Sequence, residues 1–295
     1  MTDEDPAAEP LVNLSEIAEI ELFILKRMKE FTLGDHASVF KGPGFNFVGV
    51  RDWAQSSLTN FSPMITREFE QPSNAAIIAV ADASLSTRCG THGTPIAAAI
   101  ARSVAAIGLS AVFFQDLFGL IAFDEGFHQV AAARPRIGKA HVLHCLDLYQ
   151  QRKEGDVPAH PGDFTATIAG HLRKTSLVPV ISDFLFADVP RVFAELSLLN
   201  AAHDVFLIMV DVRFAYRLPD VSAGWIEIFD VETGRTRVLS RRELGNLVAR
   251  IEEWQEEVQR LARDSDLDIV RVGLDRWEME TALVEFVAER RLRKM

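Results

Sequence analysis

The stretch that most constrains this chain is a short apolar run that ends abruptly in polar residues. Residues 75–81 are small, aliphatic and uninterrupted, which is typical of a strand buried on both faces within a parallel sheet. Asp82, Ser84 and Ser86 follow at once. One carboxylate and two hydroxyls are hard oxygen donors of the kind that Mg²⁺ prefers. The same residue types are also common in a surface turn that caps a helix, so the pentapeptide alone leaves both interpretations open.

Strand-like and helix-like segments alternate from residue 74 onwards. Apolar runs predict four strands, at residues 75–81, 118–123, 177–181 and 205–210. Helical periodicity predicts four helices, at residues 95–114, 139–150, 164–174 and 190–202. Strands separated by helices are joined by right-handed crossovers, so the predicted fold class is α/β, with a mostly parallel sheet and helices on both faces.

The segments around this core divide the chain into four predicted parts. The core covers residues 74–220, and it is preceded by an irregular β and loop segment at 38–73 that is rich in glycine and phenylalanine. Residues 1–37 hold an acidic tail and a helix that Asn13 opens. Residues 221–295 form an extension packed on the core. In that extension we expect an edge strand at 225–229, a helix after the Ser240 and Glu243 capping-box pair, a strand at 269–272 and a helix at 277–290.

Composition excludes several classes of partner and location. The formal net charge of −11 argues against nucleic acid or an anionic membrane as the main partner. Cys89 and Cys145 are too few for a disulfide framework, which favours a reducing compartment. The first ten residues are acidic, unlike a signal peptide. The longest apolar stretch, residues 96–114, carries Arg102 and is better interpreted as a buried crossover helix than as a membrane span. We therefore expect a cytoplasmic protein.

Four predicted strands each end on an aspartate: Asp82, Asp124, Asp183 and Asp211. In open α/β sheets, ligands bind at the carboxyl ends of the strands, where the strand order reverses. If the strand at 75–81 neighbours the strand at 177–181, Asp82 and Asp183 flank that crevice. Carboxylates gathered in one cleft repel each other unless a cation binds. Each aspartate is also compatible with a cap of the following helix, and we interpret Asp124 and Asp211 in that way. For Asp82 and Asp183 the residues alone leave the cap and the metal site both open, and we carry the metal site forward as the hypothesis.

The Asp82-x-Ser84-x-Ser86 loop resembles the metal-ion-dependent adhesion site of von Willebrand factor A-like domains. A wider set of motifs is similar to the bacterial domain-of-unknown-function family fifty-eight. These motifs follow the family's order across residues 38–291: Phe40-Lys41-Gly42-x-Gly44-x-x-Phe47, Arg51-Asp52-Trp53, Arg67-Glu68-Phe69-Glu70, Gly119-Leu120-Ile121-x-Phe123, Ser182-Asp183-Phe184, His203-Asp204-Val205, Asp211, Leu218-Pro219, Glu232-Thr233-Gly234 and Arg290-Arg291.

The resemblance implies a von Willebrand A-like fold and a partnership with a MoxR-type AAA+ ATPase. Such pairs are thought to help assemble or activate other proteins, including metal- or cofactor-loaded enzymes, and one branch accompanies methanol dehydrogenase maturation. By position, it implies that Asp82, Ser84 and Ser86 are first-loop ligands of Mg²⁺ or Mn²⁺ and that Asp183 is the third-loop carboxylate.

Two departures from these patterns bear on the metal. Von Willebrand A sites also use a loop threonine; Gly162 stands near that place here, and Thr165 is the nearest substitute. The family's Gly-Asp-x-x-Arg-x-Ile-Asp-Trp stretch is replaced by residues 55–61. A metal site that is weakened or empty is therefore one expectation that the sequence leaves open.

Three functions are compatible with these residues. The first is a non-catalytic protein-interaction adaptor in which the metal accepts a carboxylate from a partner. The second is a metal-dependent phosphoester hydrolase that uses the same aspartates, although no histidine is obviously placed as its general base. The third is a structural subunit with a vestigial metal site. The adaptor is the function that the sequence favours.

Overall fold

The computed structural model describes twelve stretches of the chain, at residues 10–33, 46–52, 65–70, 75–88, 90–91, 94–151, 163–172, 175–186, 188–212, 225–230, 235–273 and 279–286. The chain forms two compact units, one of residues 1–24 with 75–295 and one of residues 25–74. Several sequence predictions fall outside the described residues: the acidic tail at 1–9, the segment 55–61, Gly162 and the Arg290-Arg291 motif.

Twelve strands and seven α-helices are described, of which six helices are labelled here. The strands are β1 (Asn46–Asp52), β2 (Ile65–Glu70), β3 (Ala76–Asp82), β4 (Gly90–Thr91), β5 (Thr94–Pro95), β6 (Leu117–Phe123), β7 (Gln129–Arg136), β8 (Leu177–Ser182), β9 (Asp204–Val210), β10 (Trp225–Asp230), β11 (Arg235–Ser240) and β12 (Asp268–Val272). The helices are α1 (Leu14–Leu33), α2 (Ile96–Phe113), α3 (Lys139–Gln150), α4 (Phe164–His171), α5 (Val189–Asn200) and α6 (Arg241–Asp264). Residues 279–286 are also helical.

The larger unit is built on a six-stranded sheet with the order β12-β9-β8-β3-β6-β7. Every neighbouring pair is parallel except β6 with β7. The α/β fold class and the mostly parallel sheet are therefore confirmed. From β3 the chain builds first towards β6 and β7, then returns to β8 and continues to β9 and β12. The strand order thus reverses between β3 and β8, which is where ligands bind in sheets of this kind.

The sequence predictions and the structure differ in three respects. The antiparallel strand β7 was not predicted, because its sequence contains Ala131 to Ala133 and two arginines instead of an apolar run. The predicted edge strand at 225–229 is β10, which pairs with β11 in a separate hairpin instead of joining the main sheet. Helix α4 ends at His171, three residues before its predicted end.

Helix α2 is the central helix of the larger unit. Among the residues that the structure describes, it alone is long and apolar enough to cross a membrane, and 83% of it is buried inside the protein. Its serine hydroxyls are satisfied within the helix: Ser103 donates to the Ala99 carbonyl at 2.9 Å and Ser110 to the Ala106 carbonyl at 2.7 Å. The predicted packing as a buried crossover helix is confirmed.

The start of α1 also follows its sequence signal. The Asn13 and Glu16 side chains each accept a hydrogen bond at 2.9 Å from the other residue's backbone N–H, which is a reciprocal cap. Glu16 also pairs with Arg102 of α2 at 2.9 Å. Ile17, Ile20 and Ile24 are buried, so these isoleucines form the face of the helix that packs inward.

Candidate metal centre

Asp82 ends β3 inside the protein, at the point where the strand order reverses. Ala81 pairs with Ile181 across the two strands, so Asp82 and Ser182 end the two strands side by side. The Asp82 side chain is only 2% exposed. Its Oδ1 accepts a hydrogen bond from the Ser84 N–H at 2.9 Å, and its Oδ2 accepts one from the Ser182 hydroxyl at 2.6 Å. The carboxylate is therefore held from both neighbouring strand ends.

The two predicted serine ligands lie together. The Ser84 and Ser86 hydroxyl oxygens are 3.0 Å apart, in a turn that continues into a short 3₁₀ helix at residues 85–88. The Thr87 hydroxyl fixes that turn by donating to the Ser84 carbonyl at 2.7 Å. Helix α2 begins only after Pro95, which makes no side-chain cap. The loop is a buried turn that gathers three oxygen-bearing side chains, and it is not the cap of the following helix.

Asp183 lies in the loop that follows β8. It is 1% exposed, and its Oδ1 accepts a hydrogen bond from the Leu185 N–H at 3.0 Å. The Ser182 hydroxyl accepts from the Phe184 N–H at 2.9 Å while donating to Asp82. Phe184 is fully buried with a φ of 56°, a left-handed conformation that is uncommon outside glycine and that occurs often at functional sites.

Tyr149 of α3 is a member of the site that the sequence did not indicate. Its hydroxyl donates to the Asp82 backbone carbonyl at 2.6 Å. Complete burial raises the pKa of the Tyr149 phenol far above its ordinary value, and the negative charges of Asp82 and Asp183 raise it further. Arg88 and a hydrogen bond with Thr87 act in the opposite direction. Both carboxylates thus lie close enough to act on this one phenol, and Arg88 is a nearby positive charge.

Thr165, the predicted substitute for the loop threonine, lies in the first turn of α4. Its hydroxyl donates to Glu195 of α5 at 2.8 Å. Asp163 caps the same helix by accepting from the Ala166 N–H at 3.0 Å. Within the described part of the chain, the contacts that join Asp82, Ser84, Ser86 and Ser182 do not include Thr165. Its role as a metal ligand stays a prediction.

The other two aspartates at strand ends serve local structure. Asp124 accepts from the Gly126 and His128 N–H groups, both at 2.9 Å, and so closes the turn between β6 and β7. Asp211 pairs with Arg271 of β12 at 3.1 Å. They were interpreted as helix caps; the structure instead shows a hairpin turn and an ion pair, because neither strand leads directly into a described helix.

The donor set suits a hard divalent cation. Asp82, Ser84, Ser86 and Asp183 offer carboxylate and hydroxyl oxygens, which Mg²⁺ and Mn²⁺ accept, and Mg²⁺ commonly keeps several waters beside one or two carboxylates. Among the residues that the structure describes, no three or more His, Cys, Asp or Glu side chains gather as a metal cluster. A site here would therefore depend on the serine hydroxyls, with few protein ligands and several positions left for water or a partner.

The matched residues decide the family. Residues 46–259 match the family described as "Protein of unknown function DUF58", which is more than half of the chain. The chain belongs to the DUF58 family. The match takes in the Asp82 loop, the Asp183 loop and most of α6. The family description names no activity, so the chemistry of this DUF58 protein has to be argued from its own residues.

Other comparisons add little. No curated protein matches the sequence. Two solved structures resemble the fold: an aerotolerance-related membrane protein from Bacteroides fragilis NCTC 9343 with multiple mutations to serines, and the conserved hypothetical protein BatB from Bacteroides thetaiotaomicron. Each is 13% identical to this chain, with a TM-score of 0.44, and each match covers 73% of this chain. The matches cover 100% of the Bacteroides fragilis chain and 98% of the BatB chain. At these values neither bears on function.

Proposed function

We propose that this DUF58 protein is a non-catalytic, von Willebrand A-like interaction adaptor. It binds Mg²⁺ or Mn²⁺ through Asp82, Ser84, Ser86 and Asp183. It works in the cytoplasm with a MoxR-type AAA+ ATPase, and the pair assembles or activates a client protein or metalloenzyme. The observation that carries the proposal is that the Asp82 and Asp183 loops follow the neighbouring strands β3 and β8, at the point where the strand order reverses.

The strand order supports the von Willebrand A-like part of the proposal. The first strand of the core, β3, lies in the middle of the sheet, and the edge beyond β6 is the antiparallel strand β7. The Asp-x-Ser-x-Ser loop follows the central strand, and the Ser182-Asp183 pair follows its neighbour. The resemblance to von Willebrand A-like domains requires these two loops, and in this arrangement they follow neighbouring strands.

The protein's own residues give the site a fixed geometry. Ser182 and the Ser84 N–H each hold one oxygen of Asp82, and Thr87 holds the serine turn. These contacts orient oxygen donors before any ligand arrives, so little ordering is needed on binding. A bound divalent cation would supply a coordination position for a carboxylate of the partner. Recognition would then require the metal, the two loops and an acidic partner residue together.

A binding experiment with the full chain tests this proposal. A MoxR-type AAA+ ATPase, the proposed partner, is titrated against the wild type, Asp82→Asn and Ser86→Ala, in Mg²⁺ and in EDTA. We expect the wild type in Mg²⁺ to bind the ATPase at least about tenfold more tightly than the wild type in EDTA or either variant in Mg²⁺. A tenfold change corresponds to the loss of one charged or metal-mediated contact. Ser197→Ala, a serine on α5 away from both loops, is the matched control and should bind like wild type.

Two results would contradict the proposal. Equal affinity of wild type and Asp82→Asn for the ATPase would remove the metal loop from recognition. Hydrolysis of p-nitrophenyl phosphate that requires Mg²⁺ and is lost in Asp82→Asn would replace the adaptor with the hydrolase.

A further inference from the structure

Half of α6 extends beyond the main sheet. The Gln255 side-chain amide donates to the carbonyl of Val210, the last residue of β9, at 2.9 Å. From that level the C-terminal half of α6 packs on the core, where Val258 and Ala262 are fully buried, and leads into the start of β12. Arg241 lies about 21 Å from Gln255 along the helix axis at 1.5 Å per residue. The first half of α6 therefore reaches past the carboxyl edge of the sheet, the edge that carries Asp82 and Asp183.

An open groove of about 490 Å³ lies where this half of α6 meets the loop after β8. Its lining residues are Leu185, Leu247, Arg250, Ile251, Glu253, Trp254 and Glu257. One hydrogen bond ties the two sides together, from the Trp254 indole N–H to the Phe184 carbonyl at 3.0 Å. Because the Leu185 N–H also donates to Asp183, the groove is continuous with the loop of the candidate metal centre.

The lining combines an apolar floor with a charged rim, on which Glu253 and Glu257 stand against one exposed cation, Arg250. The aliphatic side chains of Leu247 and Ile251 and the indole of Trp254 provide apolar contact area, and Leu185 is 36% exposed. Glu253 is exposed on the rim and forms no ion pair with any residue that the structure describes. Glu257, also on the rim, pairs with Arg260. The groove volume falls in the range of about 300–1,000 Å³ that is typical of ligand sites.

We propose that this α6 groove binds a short peptide segment of a partner protein that carries an apolar side chain next to a lysine or arginine. The apolar side chain contacts Leu247, Ile251 and Trp254, and the cation pairs with Glu253. Two glutamates against one arginine leave the lining with a net negative charge, and the whole chain has a net charge of −11, so a basic segment is favoured over an acidic one. The inference rests on the proposed function, since it identifies a second contact of the adaptor beside the Asp183 loop.

Peptide selection on the immobilised full-length protein tests the groove. A random twelve-residue phage-display library is selected in Mg²⁺, and the enriched peptides are synthesised and titrated against wild type, Glu253→Lys and Glu256→Lys. Glu256 is exposed on the same helix but does not line the groove, so it gives the same change in charge as a matched control. We expect peptides with an aliphatic or aromatic residue beside lysine or arginine, bound about fivefold or more weakly by Glu253→Lys and normally by Glu256→Lys.

The outcomes separate this inference from the proposed function. Enriched peptides that bind both variants like wild type, or the absence of any enriched peptide, would overturn the groove. Dimerisation of the wild type that Glu253→Lys abolishes would assign the groove to a second copy and overturn the peptide. The enriched peptides are also titrated against wild type in EDTA and against Asp82→Asn, which tests whether groove binding needs the metal. Peptide binding that survives both changes supports the groove, even if ATPase binding is unaffected by them and the proposed function therefore fails.

Discussion

At the scale of single residues, the candidate centre depends on buried polar groups that satisfy one another. Asp82 receives hydrogen bonds from Ser84 and Ser182, and Tyr149 donates to its backbone carbonyl. Leaving such a buried group without its partner costs about 1–3 kcal/mol. The hydrogen bonds of the site therefore contribute to the stability of the sheet as well as to the candidate metal centre.

Tyr149→Phe tests this network through its dependence on pH. The pKa of folded Tyr149 is raised, whereas an unfolded tyrosine has a pKa of about 10. Above pH 10 the unfolded chain binds fewer protons than the folded one, so stability falls as pH rises. Between pH 9 and pH 11 the wild type should lose about 1.4 kcal/mol of unfolding free energy that Tyr149→Phe does not lose. Urea unfolding at both pH values measures the difference, and parallel losses in both proteins would contradict it.

The sequence predicted some residues of this centre and not others. Asp82, Ser84 and Ser86 are alternate positions within five residues of one loop, so their proximity could be predicted from the chain alone. Ser182 and Tyr149 are 100 and 67 positions away from Asp82, and only the strand pairing and the packing of α3 bring them close. Thr165 is near Gly162 in sequence and its hydroxyl contacts Glu195, so its role as a metal ligand stays a prediction.

At the scale of elements, α6 joins the edge of the sheet to the candidate centre. Trp254 binds the Phe184 carbonyl, and Gln255 binds both the Val210 carbonyl and Arg271, the latter at 2.8 Å. Arg271 in turn pairs with Asp211. This buried network connects one helix with the carboxyl ends of β9 and β12, so the position of α6 and its groove is set by specific polar contacts in addition to apolar packing.

Gln255→Met tests how strongly this network holds α6. Methionine conserves the volume of the buried side chain but neither donates to Val210 nor accepts from Arg271. We expect the free energy of unfolding to fall by about 1–3 kcal/mol, since the buried Val210 carbonyl loses its side-chain donor and the partly buried Arg271 loses one of its two acceptors. Gln259→Met, one turn later on the same helix, is the control and should change stability by less than about 0.5 kcal/mol. Equal effects of the two substitutions in urea unfolding would show that the network contributes no specific stability.

The element predictions succeeded where the sequence signal was local and strong. The apolar runs of β3, β8 and β9 and the paired Ser240 and Glu243 cap of α6 gave the strands and the helix start correctly. Strand β7 is half-exposed at the edge of the sheet and shows no clear alternation, so periodicity could not reveal it. The pairing of β10 with β11 depends on tertiary structure, because alternation indicates a strand without indicating which sheet it joins.

At the scale of the whole molecule, the topology concentrates candidate functions at one edge of the sheet. The reversal of strand order places the Asp82 and Asp183 loops together, and α6 adds its groove on the same side. Helix α2, although apolar, is used inside this unit as a central packing element. The family match covers all of these parts, but the recognition of a partner depends on the site residues and not on the fold.

The most direct test of the central claim is a thermal-unfolding titration of the full chain with Mg²⁺ and Mn²⁺. Wild type, Asp82→Asn, Ser86→Ala and the control Ser197→Ala are compared, each first shown to be folded without metal. At a metal concentration of about 100 times the dissociation constant, binding should add about 2.7 kcal/mol to the stability of the wild type and of Ser197→Ala. Asp82→Asn and Ser86→Ala should show little or none of this gain. An equal gain in all four proteins, or no gain in the wild type at millimolar metal, would contradict a metal centre formed by Asp82, Ser84, Ser86 and Asp183.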